Sequence, residues 1–191
     1  MKEREYLTEG EIRQLIEHEF SDATLAFTRD LFVFACFTAL SFADIRELTT
    51  DEIMDVNGEK CIISKRHKTG VPFQVKLLDI PLQIIGKYRP FQKDNSVFGE
   101  INYWNVCKKL KKVISECGIN KQISFHCARH TFGTLALSKG MPIESVSRVL
   151  GHTNIKTTQI YAKITTQKLG NDLTAFGNQL NQTFGNIKVA G

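Results

Sequence analysis

The chain has 191 residues, 42% of them apolar, enough for one well-filled hydrophobic core, and a single domain is expected. Its longest apolar run, residues 31–40, lies between Asp30 and Asp44 and is too short to cross a bilayer, and the charged opening Met1-Lys2-Glu3-Arg4-Glu5 is unlike a signal peptide, so no membrane partner and a cytoplasmic location are expected. The net charge of +5 conceals an asymmetry, since residues 1–55 carry 13 acids and 5 bases whereas residues 56–191 carry 7 acids and 20 bases; a basic portion of that size is the footprint of a polyanion partner.

In chain order, Tyr6-Leu7-Thr8-Glu9-Gly10-Glu11 sets Thr8 as an N-cap with Glu11 three residues on, a capping box that predicts a helix through Ile12, Leu15 and Ile16. A second helix begins near Asp22 and runs through Leu25, Leu31, Phe32 and Ala35; being apolar on most faces, it belongs in the domain centre. Residues 38–48, TALSFADIREL, leave that helix and start a short new one bearing Asp44 and Arg46. Residues 61–64 and 73–77 read as two strands joined by the basic turn Arg66-His67-Lys68-Thr69-Gly70.

Pro81 suits the first turn of a helix that carries Leu82, Ile84 and Ile85 and stops before Pro90. After the short apolar piece Val97-Phe98, Asn102 caps a helix with Val106, Leu110, Val113 and Ile114 inside. Lys108, Lys109, Lys111 and Lys112 make its polar side, either a solvated face or one that contacts phosphates. From His126 a helix runs to Lys139, Gly140 takes its C-terminal position, and Pro142 opens a shorter helix that ends near Gly151. Two helices joined through a glycine also describe a helix-turn-helix over residues 128–151. Residues 165–184 form a last amphipathic segment, with Leu169, Leu173, Phe176 and Leu180 at helical spacing. The five cysteines, at 36, 61, 107, 117 and 127, are odd in number and lack a C-x-x-C pair, which indicates neither a disulfide framework nor a zinc site. They read as buried thiols, Cys127 included.

Four chemistry-bearing side chains stand out: His126, Arg129, His152 and Tyr161. With no carboxylate cluster nearby to hold a metal, they suit metal-free chemistry on a phosphodiester. A phenol with an ordinary pKa of about 10 needs a proton acceptor and a positive setting to attack phosphorus near neutral pH. Histidine titrates in the range to serve. The transition state gathers charge on the non-bridging oxygens, which a guanidinium fork neutralises, and a lysine can protonate the leaving 5′ oxygen. His126 and Arg129, three residues apart on a helix, share a face.

At these residues the chain resembles a known family. H-x-x-R at His126 and Arg129, followed by L-G-H-T-x-I-x-T-T-x-x-Y over Leu150, Gly151, His152, Thr153, Ile155, Thr157, Thr158 and Tyr161, is similar to the signature of the tyrosine recombinases, or phage integrases. The likeness runs from about Tyr6 to Lys163. It implies an α+β fold, a mostly helical catalytic domain with a small antiparallel β-sheet or hairpin, over residues 1–165. Residues 166–191 become a C-terminal helix that docks on a neighbouring protomer or packs in cis. It implies double-stranded DNA as substrate, a 3′-phosphotyrosyl intermediate, self-association into a tetrameric synapse and no cofactor. The family's N-terminal DNA-clamping domain is expected to be absent from this chain.

By that resemblance Tyr161 is the nucleophile, His126, Arg129 and His152 bind the scissile phosphate or assist proton transfer, and Lys68 is the general acid. One position departs from the pattern. The family's first catalytic arginine follows a G-L, whereas here Ala39-Leu40 is followed by Ser41, with Asp44 keeping the supporting acid; recombinases of some mobile elements share this serine. Losing one preorganised donor costs about 3 kcal/mol, a hundredfold in rate. Arg46 would be turned about 140° from the Ser41 face. Arg66, on strand periodicity, would share a side with Lys68, and Arg66 is expected to supply the missing guanidinium. Two other readings stay open: a non-catalytic DNA-binding regulator using the helix-turn-helix-like segment, and a nick-and-reseal enzyme of type IB topoisomerase kind.

Overall fold

The computed structural model describes residues 5–162 and 166–184. Helix α1 (Glu9–Glu17) opens on the Thr8–Glu11 capping box, and α2 (Ala23–Thr38) on the Asp22 carboxylate, which accepts from the Thr24 amide. Leu31, Phe32, Val33, Phe34, Ala35 and Cys36 are all buried on α2, so this helix is enclosed on every side and forms the axis of the main core. Phe32 meets Phe125 edge-on, and Phe34 meets Phe98.

Short α3 (Phe42–Arg46) leads into a three-stranded antiparallel sheet of order β1 (Ile53–Val56), β2 (Glu59–Lys65) and β3 (Pro72–Lys76). The sequence reading found the β2–β3 hairpin but not β1, whose four residues have two exposed positions and no apolar alternation to announce them. β2 ends at Lys65, so Arg66 is the first residue of the turn and strand periodicity does not govern it. The turn closes instead through the Arg66 amide donating to Val71 O and its carbonyl accepting from Gly70.

Helix α4 (Asp79–Tyr88) begins two residues before Pro81. Helix α5 (Tyr103–Glu116) is capped by Asn102 as expected; its lysines 108, 111 and 112 are exposed and Lys109 half-buried. Helix α6 (Cys127–Ser138) packs along α2. Its Thr131 hydroxyl accepts from the Leu7 amide, tying the two ends of the described core together. Gly140, at φ 89°, turns the chain into α7 (Ile143–Leu150), and Gly151, at φ 66°, ends α7; both conformations favour glycine. Helix α8 (Gln159–Ala162) and helix α9 (Thr166–Phe184) follow. Leu173, Phe176 and Leu180 of α9 are exposed. Lys163 and Thr165, which bounded the sequence reading, the side chain of Leu169, and residues 185–191 of the expected tail lie outside the described residues. Among the described residues no helix is long and apolar enough to cross a membrane.

Candidate active site

The site begins where α2 stops. Ala39 adopts the left-handed conformation (φ 57°, ψ 17°), and its amide still closes on Ala35 O. Its carbonyl thereby leaves the helix direction and becomes an acceptor for side chains. Two residues on, Ser41 caps α3. Its hydroxyl accepts from the Asp44 amide at 3.2 Å, while Asp44 Oδ2 accepts from the Ser41 amide at 2.9 Å. The serine hydroxyl at the departing position is therefore committed to holding α3.

Asp44 also fastens the β2–β3 turn. Its Oδ1 accepts from the His67 amide at 2.9 Å, and its Oδ2 from Arg66 Nη1 at 2.8 Å, in a pair buried on both sides. Burial alone would raise the Asp44 pKa, but the amides of His67 and Ser41 and the Arg66 guanidinium outweigh it and hold the carboxyl below its usual range. Arg66 is only 6% exposed. Its guanidinium lies 4.0 Å over the Phe73 ring, and it donates to Ala39 O at 3.3 Å and to Val149 O. Its Nε has no hydrogen-bond partner among the described residues and faces Gly151, where a Cβ would stand 3.1 Å away. Burial lowers the Arg66 pKa, and Asp44 acts against that.

Arg129 arrives from α6 at the same point, donating to Ala39 O and to Leu150 O, each at 2.5 Å. Val149 and Leu150 are the last residues of α7, where carbonyls lack intrahelical partners and the helix dipole is negative. The C-terminus of α7 thus gathers both guanidiniums. Burial, then the charge of Arg66, brings the Arg129 pKa down to about 10, with Asp44 and Tyr161 acting in the other direction; it remains cationic at neutral pH.

His152 follows Gly151 and is half-buried, its Nδ1 2.9 Å from the hydroxyl of fully buried Thr158. Burial, followed by the charges of Arg129, Arg66 and His126, lowers its pKa to about 4. Arg129 from α6 and Arg66 from the β2–β3 turn both donate to the last carbonyls of α7, and His152 follows two residues after that helix ends. His126 is exposed at the N-terminal edge of α6. Lys68 is exposed in the turn anchored by Arg66, and Arg46 is exposed and paired with Glu47.

Tyr161 is 6% exposed and packs in a small second core with Ala39, Leu137, Val146 and Leu150. Its ring lies on the backbone of Gly133, where a Cβ would stand 2.9 Å from Cδ2. Its hydroxyl shares a 2.8 Å hydrogen bond with Nδ1 of buried His130, whose ring meets His126 edge-on at 4.8 Å. The sequence reading did not single out His130. Its signal was present, one helical turn after His126 and three residues before a glycine in mid-helix. Cys127 is buried, its sulfur 3.4 Å from the Ser124 hydroxyl. Among the described residues no group of three or more His, Cys, Asp or Glu could hold a metal ion.

Residues 5–168 match the model of the phage integrase family. The tyrosine recombinase XerA of Saccharolobus solfataricus is 31% identical over 139 residues, covering 72% of this chain and 47% of that protein. The XerH site-specific recombinase bound to palindromic difH substrate, a post-cleavage complex, aligns over 92% of this chain and 54% of its own with a TM-score of 0.72 at 22% identity. The Tn1549 transposon integrase in complex with a circular intermediate DNA aligns over 92% and 67%, with a TM-score of 0.74 at 16% identity. These structures share the mostly helical α+β fold. The chain spans about half the length of the curated relatives it matches.

Proposed function

Because this chain belongs to the phage integrase family, we propose that it is the catalytic part of a site-specific tyrosine recombinase that cuts and rejoins double-stranded DNA through a 3′-phosphotyrosyl intermediate on Tyr161. The observation that carries this reading is the convergence of Arg66, Arg129 and His152 around the C-terminus of α7, in the same part of the fold as Tyr161. Such a cluster suits a dianionic transition state: two fixed guanidiniums neutralise the non-bridging oxygens, and His126 and His152 hydrogen-bond to them. Lys68, on an exposed turn, protonates the leaving 5′ oxygen.

Arg66 replaces the arginine missing at Ser41. Its support is the shared Ala39 carbonyl, which brings it beside Arg129 at the N-terminus of α3. The chain is of the mobile-element type that carries this serine, and it works on DNA in the cytoplasm. Residues 1–165 make the catalytic domain. The exposed Leu173, Phe176 and Leu180 of α9 belong to a tail, residues 166–191, that docks on a neighbouring copy within a tetramer on DNA, and the lysine side of α5 contacts phosphates.

The test is denaturing electrophoresis of the protein with a labelled pool of nicked duplexes of randomised core sequence. A 3′-linked adduct, absent with Tyr161→Phe, is the expected result. Sequence-specific binding without any adduct would instead support the regulator reading, and relaxation of supercoils that needs no paired sites would support the topoisomerase reading.

A further inference from the structure

We propose that His130 is the proton acceptor for the Tyr161 phenol. This rests on the strand-transfer reading and adds to it a catalytic residue that the recombinase signature does not name. The geometry is built on purpose-fitted neighbours. His130 and Gly133 lie three residues apart on α6 and so share a face. The glycine leaves room for the Tyr161 ring against the helix backbone, and His130 sits where that ring ends, with Nδ1 2.8 Å from the hydroxyl. Ala39, Leu137, Val146 and Leu150 close the slot around the ring. A general base must lie within about 2.6–3.2 Å of the oxygen whose proton it takes, and His130 does.

The other two histidines of the cluster, His126 and His152, are placed for different work. His152 has its Nδ1 on Thr158, and burial, then the charges of Arg129 and Arg66, make its imidazole a poor base. His126 is exposed at the start of α6 and meets His130 edge-on.

The step balances without any added reactant. As Tyr161 Oη forms its bond to phosphorus, the phenolic proton passes to His130 Nδ1. The bond from phosphorus to the 5′ oxygen breaks, and that oxygen leaves with a proton from Lys68. In rejoining, the 5′ hydroxyl attacks, His130 returns its proton to Tyr161 Oη, and Lys68 is reprotonated by the incoming hydroxyl.

The experiment uses a nicked duplex selected from the randomised pool by adduct formation with the wild type. His130→Asn and His130→Gln are expected to slow adduct formation about a hundredfold or more. Replacing Tyr161 by 3,5-difluorotyrosine, whose phenol ionises far more readily, should restore most of that rate, which a misfolded variant could not do. A 5′-bridging phosphorothiolate at the mapped bond, whose thiolate leaves without a proton, should rescue Lys68→Ala but neither His130 variant. In the free wild type, nitrogen NMR of His130 should show Nδ1 without a proton. Wild-type or faster cleavage by His130→Asn, equal rescue of the His130 variants by the phosphorothiolate, or a protonated Nδ1 would each overturn the assignment while leaving strand transfer intact. A wild type that yields no adduct from any member of the pool would overturn strand transfer itself, and this assignment with it.

Discussion

Arg66 and Arg129 donate to the same oxygen, the carbonyl of Ala39, one from a hairpin turn and the other from α6. Two cations on one acceptor repel each other, and Asp44, paired to Arg66 at 2.8 Å, is the charge that makes the arrangement tolerable. Removing Arg66 leaves Asp44 buried without its counter-charge. Arg66→Ala should therefore lose about 3–5 kcal/mol in urea unfolding, and Arg66→Ala with Asp44→Ala should recover part of that loss. Arg66→Lys keeps the charge but not the fork, and should cleave a nicked substrate about a hundredfold more slowly than the wild type at matched folded fraction. Arg46→Ala, which removes an exposed side chain paired with exposed Glu47, should change neither.

Ala39 holds a conformation that disfavours any Cβ, at a strain of about 1–2 kcal/mol. Ala39→Gly relieves it but gives up a buried methyl, about 0.8 kcal/mol, and frees the unfolded chain by about 0.5–1 kcal/mol. These nearly cancel, so thermal unfolding of Ala39→Gly should stay within about 1 kcal/mol of the wild type. Ala39→Val, with a branched side chain at positive φ, should be destabilised by clearly more than that.

Gly133→Ala sets helix propensity against packing. Alanine is favoured in a helix by about 1 kcal/mol, yet its Cβ would lie 2.9 Å from the Tyr161 ring, which must shift. Overpacking of this kind costs about 1–3 kcal/mol. The expected outcome is a modest loss of stability with at least a tenfold slower adduct formation, because the tyrosine is displaced. Gly86→Ala, with nothing near its Cβ, is the control and should cleave normally.

The pH dependence of stability should carry a His152 signature. Burial and the surrounding cations hold its pKa at about 4, against an ordinary 6.5. Between those values the unfolded chain binds a proton that the folded chain refuses. Stability present above about pH 6.5 is thus lost as the pH falls towards 4, and the loss stops below that. Urea midpoints at pH 7 and pH 5 should differ more for the wild type than for His152→Gln. Asp44, with its lowered pKa, acts in the same direction but at lower pH, where its carboxylate protonates in the folded chain.

The helices were legible because caps and apolar periodicity are local. Thr8 with Glu11, Asp22, Asn102 and Gly151 each stand at the ends that the sequence indicated. Strand β1 was not, since a four-residue strand with two exposed and two half-buried positions depends on its neighbour rather than on its own pattern. Tyr161, Arg129 and His152 could be read from their spacing, whereas Arg66 reached the cluster for a reason the spacing does not contain. The strand ends before it, and its direction is set by Asp44, which is itself fixed by capping α3. His130 looked like one more helical histidine, and only the fold brings it to the hydroxyl of a residue far along the chain. Ala39 gave no sign at all, because a left-handed turn at an alanine is imposed by packing and not by propensity.

The central claim is that Tyr161 becomes covalently joined to DNA. The protein–DNA adduct formed on a nicked duplex can be digested with nuclease and protease and sequenced by mass spectrometry. A nucleotide 3′-phosphate on the peptide containing Tyr161 is the predicted result. An adduct carried by Tyr6, Tyr88 or Tyr103, or one that persists in Tyr161→Phe, would contradict it.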